Sequence, residues 1–256
     1  MPTAHRLIIV IILTTLLLFG CITESKIISI SSSYIEFNIE NTPKEDADAA
    51  DLIRPYRLKL ETEMNIVLAV SELEMFKGVP EGILGNFITD LTLEKGNEYC
   101  IKNNIEKADI CLLNNGGLRT TLPKGDITKR RIFELMPFEN ELVVLTLSGQ
   151  KTKGLFDFLA RVNGMPLAGA SLGIDNKKPV NIIVGGDKFE QDKTYRILTS
   201  DYLAEGGDKM RFFLDPIKRE NLGNKLRDAI IEYVAEQGDK GLTLSAQLNG
   251  RIYLVK

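Results

Sequence analysis

Hydrophobic and polar positions along this 256-residue chain change rhythm repeatedly. The first rhythm is an unbroken apolar run, "LIIVIILTTLLLFG", of 14 residues ending at Gly20. "ESKIISISSSYIEFNIE" then alternates polar and apolar positions, which predicts one or two strands after a short tether. "NTPKEDADAADLIRPYRLKLETEMN" is charged with helical periodicity, and Pro55 is expected to kink or interrupt that helix. "IVLAVSELEM" (66–75) predicts a strand, and "VPEGILGNFITDLTLEKGNEYCIKN" a turn followed by an amphipathic helix. The apolar run "ADICLLN" suits a buried strand. "ELVVLTLSG" (141–149) predicts another strand and "QKTKGLFDFLARVN" a helix. Shorter β-like runs follow: "AGASLGI", "VNIIVGG" and "TYRILTS". After a Gly206–Gly207 turn, "LGNKLRDAIIEYVAEQG" predicts a periodic helix and "GRIYLVK" a last strand. With no repeat or low-complexity linker, the pattern predicts one α+β domain behind an N-terminal extension.

The opening apolar run is too short to cross a bilayer comfortably and suits the core of a signal peptide. It leads into "LFGC", Leu18 to Cys21, which resembles a bacterial lipoprotein signal in which Cys21 is lipidated. A plain signal peptide or anchor with an incidental cysteine is the alternative, and both place the protein outside the cytoplasm. The expected division is 1–20 as signal peptide, 21–54 as tether and extension, and 55–256 as the folded domain. Removing residues 1–20 takes away Arg6 and leaves 31 basic against 35 acidic residues. It also removes His5, the only histidine. Cys100 and Cys111 remain, and pairing and two semi-buried thiols both stay open.

Composition narrows the chemistry further. A formal net charge of -3 argues against a nucleic-acid polymer as ligand, because no basic excess can displace counterions from a phosphate backbone. Without histidine, a mature chain excludes a histidine general base, a histidine zinc site and a His-rich dinuclear phosphoesterase centre. A carboxylate-only Mg²⁺ site is compatible in principle. The carboxylates of "EDADAAD" (45–51) would radiate around a helix, however, and read as a solvated face. "GGLR" lacks P-loop spacing.

The stretch from Asn114 to Asn140 gathers unusual groups. Asn114, Asn115, Gly116 and Gly117 follow the end of a predicted buried strand, where open sheets place ligands. The two glycines allow backbone N–H groups to approach a ligand closely, and positive φ costs little there. Arg119 offers a planar five-donor fork. Phe138 follows Pro137, and Asn140 offers an amide. Downstream, Tyr202 precedes Asp208 by six residues. Two aromatics on separate loops can clamp a flat ring, Asp208 can accept from both hydroxyls of a ribose, and Asn140 can read a base edge. The alternative reading makes Phe138 and Tyr202 core aromatics and Asp208 a turn cap.

Five motifs occur in order: "PEGILGNFITD" (80–90), "LLNNGGLRTTLPKGDIT" (112–128), "MPFENELVVLTLSGQ" (136–150), "KTYRILTSDYLAEGGD" (193–208) and "LGNKLRDAIIEYV". Over roughly residues 55–256 they resemble the substrate-binding, C-terminal domain of 5′-nucleotidases. The resemblance implies a four-layer α/β/β/α fold and a base held between Phe138 and Tyr202, the latter usually phenylalanine in that family. It implies a substrate contact for Arg119, a nucleoside contact for Asn114, a base-edge contact for Asn140 and a ribose contact for Asp208. Lys77 is the nearest cation to the position of a further family arginine, and Gly164 matches a glycine near the base.

Family enzymes carry a dinuclear metallophosphoesterase domain ahead of this one, where this chain has a lipoprotein signal and a short extension. The resemblance therefore implies a nucleoside or nucleotide ligand, no catalytic or metal-binding residue in this chain, and divalent metals on a partner. The expected partner is a separately encoded metallophosphoesterase acting in trans, with a lipid anchor holding the protein at the cell envelope, periplasmic or surface-facing. A non-catalytic nucleoside-binding lipoprotein or an envelope scaffold is the alternative.

Overall fold

The computed structural model describes residues 45–255, together with Ser29, Ser31 and Ser32. The signal segment and Cys21 lie outside the described residues, as does nearly all of the stretch expected to form the first strands. Helix α1 (Ala47–Met64) runs through Pro55 without interruption and buries none of its residues. Of the two outcomes expected at Pro55, interruption does not occur: an exposed helix can bend and hydrate around a proline ring that a packed one would reject.

Strand β1 (Val67–Ser71) leads to helix α2 (Ile83–Lys102), and β2 (Ile110–Leu112) follows. The pair β3 (Gly125–Thr128) and α3 (Lys129–Leu135) comes next, with the Thr128 hydroxyl accepting from the Arg131 amide as N-cap. Then come β4 (Glu141–Ser148), α4 (Gly149–Arg161), β5 (Leu167–Ala168), β6 (Ala170–Asp175), β7 (Lys178–Val184), β8 (Asp187–Lys188) and β9 (Thr194–Ser200). The chain closes with α5 (Asp201–Ala204), two 3₁₀ turns, β10 (Lys218–Lys225), α6 (Leu226–Asp239), β11 (Thr243–Leu244) and β12 (Ile252–Leu254).

A five-stranded sheet of order β10-β4-β9-β2-β5 forms the centre. Its strands alternate between two cores. Leu142, Val144, Cys111 and Leu198 join a cluster with α2, α3 and α6, while Val143, Leu145, Ile110, Leu112 and Ile197 join one with α4, β6 and β12. Both faces are therefore apolar, and each such buried side chain contributes about 1.5–3 kcal/mol. The second core includes the four-stranded sheet β12-β6-β7-β8, and a small β11-β1-β3 sheet flanks the first. This is the α+β class expected, with helices and a second sheet on opposite faces of the central one.

Two expectations need correction. Helix α2 is not amphipathic: the six consecutive residues Leu84 to Thr89 are all buried, and a run of that length circles the helix. Its buried Thr89 and Thr92 hydroxyls donate to the carbonyls of Gly85 (2.8 Å) and Ile88 (2.6 Å), so the polar positions that suggested a wet face are satisfied internally. The "LGNK" residues belong to β10 rather than to the last helix, because Gly223 has φ +71°, which no α-helix accommodates. Cys100 and Cys111 are both free and buried, and burial pushes both thiols above their ordinary pKa.

Candidate functional site

The loops following β2, β9 and α3 meet at one end of the central sheet. There they enclose a cavity of about 390 Å³, whose wall includes Asn114, Arg119, Phe138, Asn140, Tyr202 and Asp208. All six residues singled out by sequence as substrate-binding thus share one hollow, although 94 positions separate its ends. Leu113, Met136 and Leu226 add apolar surface to the lining, with Ser200, Gly116 and Gly117. That size and mixture suit a small organic ligand.

Phe138 and Tyr202 are 41% and 47% exposed, so neither is a core aromatic. The reading of Asp208 as a turn residue is partly right, since it has φ +50° within the turn Gly207–Lys209. Its carboxylate does more than terminate that turn. Asn114 Nδ2 donates to Asp208 Oδ2 at 2.6 Å, and the Tyr202 hydroxyl donates to Oδ1 at 2.9 Å. Each oxygen keeps a lone pair for a further donor.

Asn140 Nδ2 donates to Asp201 Oδ1 at 2.9 Å. A carboxylate can only accept, so this contact turns the nitrogen toward Asp201 and leaves Asn140 Oδ1 as an acceptor. The Arg119 guanidinium lies 6.0 Å from the centre of the Phe138 ring and donates to the Gly116 carbonyl at 3.3 Å. A cation beside an aromatic face at this distance is weakly attractive and keeps the fork near the rim.

Neither glycine of "NNGG" uses the positive φ open to it. Their value is space. A Cβ on Gly117 would stand 2.9 Å from Asn114 Oδ1, and one on Gly116 would stand 3.3 Å from Asn114 Nδ2. Lys77 and Gly164 are not among the residues lining the cavity. Lys77 Nζ donates to the Leu118 carbonyl at 2.9 Å and so fastens the adjoining loop. Gly164 ends α4: its amide reaches the Leu159 carbonyl at 2.8 Å, and a Cβ there would meet the Pro80 carbonyl oxygen at 2.0 Å.

Sequence reasoning missed the support behind Phe138. The buried Arg227 guanidinium stacks 4.3 Å from the Phe133 ring centre, donates to the Phe138 carbonyl at 3.3 Å and pairs with Glu139. The Leu226 amide takes the Asn140 carbonyl at 2.9 Å. Lys225 also pairs with Glu139, and the two cations, Lys225 first, hold that carboxyl down at about 2. The start of α6 therefore fixes the "PFEN" corner from behind. "LR" at a helix start carries no signal of this in sequence.

Among the described residues, Glu98, Glu232 and Glu236 are the carboxylates close enough together to hold a metal. They do not fit one, because the Lys95 ammonium already sits among them at 2.6, 2.7 and 2.8 Å. No histidine is available from residue 21 onward. The site as built can bind, stack and orient a ligand.

The profile of the family described as "5'-nucleotidase, C-terminal domain" matches residues 67–215. A 5'-nucleotidase of Vibrio vulnificus is 30% identical over 183 residues, covering 66% of this chain and 31% of that protein. A trifunctional nucleotide phosphoesterase protein of Bacillus subtilis is 29% identical over 236 residues, covering 84% of this chain and 16% of its own. The crystal structure of a 5'-nucleotidase precursor from Thermus thermophilus superposes with a TM-score of 0.68 at 25% identity, covering 83% of this chain and 44% of that one. The chain thus spans less than half the length of each.

Proposed function

Because the chain belongs to the 5'-nucleotidase C-terminal domain family, we propose that its cavity holds the nucleoside part of a nucleotide. One observation carries this reading: two half-exposed aromatics, Phe138 and Tyr202, line the same hollow as a carboxylate with open acceptor positions and an amide with a spare oxygen. A base between the rings gains about 1–3 kcal/mol per stacking partner, and its sugar hydroxyls donate to Asp208. Arg119, exposed on the cavity wall, offers its donor fork to negative charge, the chemistry of a 5′-phosphate.

Hydrolysis belongs to another chain in this proposal. A separately encoded metallophosphoesterase would supply the divalent metals and the activated water, with Cys21 anchoring the binding protein at the cell envelope. What supports this is the donor set: the carboxylate group on α2 and α6 is closed by Lys95, and the cavity wall offers a single carboxylate and no imidazole.

Titration calorimetry with adenosine and AMP tests the binding reading, and a protein that takes up neither overturns it. The partnership is tested by measuring AMP hydrolysis by a candidate metallophosphoesterase with and without this protein. A clear gain in turnover is expected, and no gain refutes the partnership while leaving binding intact.

A further inference from the structure

The Tyr202 hydroxyl is engaged twice. It donates to Asp208 Oδ1 at 2.9 Å and accepts from the Asp208 backbone amide at 3.3 Å. Asp208 needs such support. It and Lys209 are consecutive non-glycine residues at positive φ, +50° and +66°, a backbone that costs about 1–2 kcal/mol per L-residue without local hydrogen bonds. The turn is shaped around the ring as well. Gly206 enters it at φ +86°, and a Cβ on Gly207 would stand 2.6 Å from Tyr202 Cε1 and Cζ. The Gly206–Lys209 turn therefore folds back onto the tyrosine ring, and the hydroxyl holds the carboxylate from one side while Asn114 holds it from the other.

We propose that the Tyr202 hydroxyl is a specificity-determining positioning group that presets Asp208 for the vicinal 2′,3′-diol of a ribonucleoside. The inference rests on the nucleoside reading of the cavity. Each carboxylate oxygen has one protein donor and one remaining acceptor position, and a cis-diol presents two hydroxyls at matching separation. With the hydroxyl removed, the ring still stacks on the base, but the carboxylate and its strained turn lose one of two restraints. Sugar recognition then weakens while base recognition stays.

Tyr202→Phe separates the two, because it keeps the ring and deletes only the oxygen. Titrations of full-length wild-type and variant protein with adenosine and with 2′,3′-dideoxyadenosine give four affinities. The expected result is an adenosine affinity reduced roughly tenfold, about one hydrogen bond to a charged group, with dideoxyadenosine changed less than about twofold. An equal loss for both ligands, or no loss for adenosine, overturns the inference and leaves nucleoside binding standing. A wild-type protein that binds neither ligand overturns the nucleoside reading and this inference together. Asn114→Ala, which frees the other carboxylate oxygen, is expected to reduce the same ratio, and a ratio equal to wild type in both variants is a second refutation.

Discussion

The Lys95 ammonium is 1% exposed and surrounded by three carboxylates, whereas the Asp208 carboxylate lies exposed at a cavity mouth with one donor on each oxygen. Both clusters join residues distant in sequence through short hydrogen bonds. The first is closed: Lys95 donates to Glu98, Glu232 and Glu236, and Tyr99 donates to Glu232 at 2.6 Å, so every donor is spent within the protein. Burial alone would push the ammonium toward neutrality, but the three carboxylates outweigh it and hold it charged. The second cluster is half open, and its aromatic neighbours turn ring surface to solvent. A satisfied polar network binds two helices together; a network with spare acceptors beside exposed rings is built to receive something.

The largest test of this contrast is Lys95→Met. Removing the cation leaves three facing carboxylates, partly hydrated, and destabilises by about 3 kcal/mol. That corresponds to a melting temperature lower by roughly 6–12 °C for a domain of this size. Adenosine affinity of the folded protein is expected to stay within about twofold of wild type. A variant that melts normally, or that loses binding while folded, breaks the division between the two clusters.

Phe138→Ala inverts the pattern. Its ring is 41% exposed, so the melting temperature is expected to hold, while loss of one stacking partner costs about 1–3 kcal/mol, or roughly 5- to 150-fold in affinity. Calorimetry and a thermal melt on the same sample check both halves. Asp208→Asn comes next. Asparagine tolerates the left-handed turn but offers one acceptor oxygen in place of two, so ribonucleoside affinity is expected to fall roughly tenfold with little change in stability.

The open cluster is more legible in sequence than the closed one. Asn114, Arg119, Phe138 and Asn140 sit on loops, Tyr202 on the one-turn helix α5 and Asp208 in a 3₁₀ turn, where nothing in hydrophobic periodicity explains them, and an ordered set of motifs relates them. Lys95 sits within a helical pattern where a lysine reads as solvent-facing. Its burial depends on Glu236, 141 positions later, arriving on a neighbouring helix. Glu81 is similar: in the "PEGILGN" motif it looks like part of a turn, yet it accepts from the amides of Asn249 and Gly250 at 2.9 and 3.0 Å and ties down the C-terminal strand. Long-range pairs leave no local periodicity to detect, and for the same reason "LGNK" reads as helix in sequence, although it ends a strand whose Lys218–Asn221 and Lys225 pair with β4.

The smallest expected effect lies between the clusters, at Glu139, which belongs to the "PFEN" corner but is gripped like a structural carboxylate. Lys225 and Arg227 lower its pKa from 4.5 to about 2. A group whose folded pKa is depressed stabilises the fold above its unfolded value and loses that contribution as pH falls through the folded one. The difference in melting temperature between wild type and Glu139→Gln is therefore expected to be full above pH 4.5 and to close as pH approaches about 2. Melting curves of both proteins across that range measure it. Because Arg227 also donates to the Phe138 carbonyl, the variant should lose a few-fold in adenosine affinity at neutral pH through a looser corner. A melting difference independent of pH would mean that Glu139 acts by packing rather than by charge, and the "PFEN" corner would then belong wholly to the open cluster.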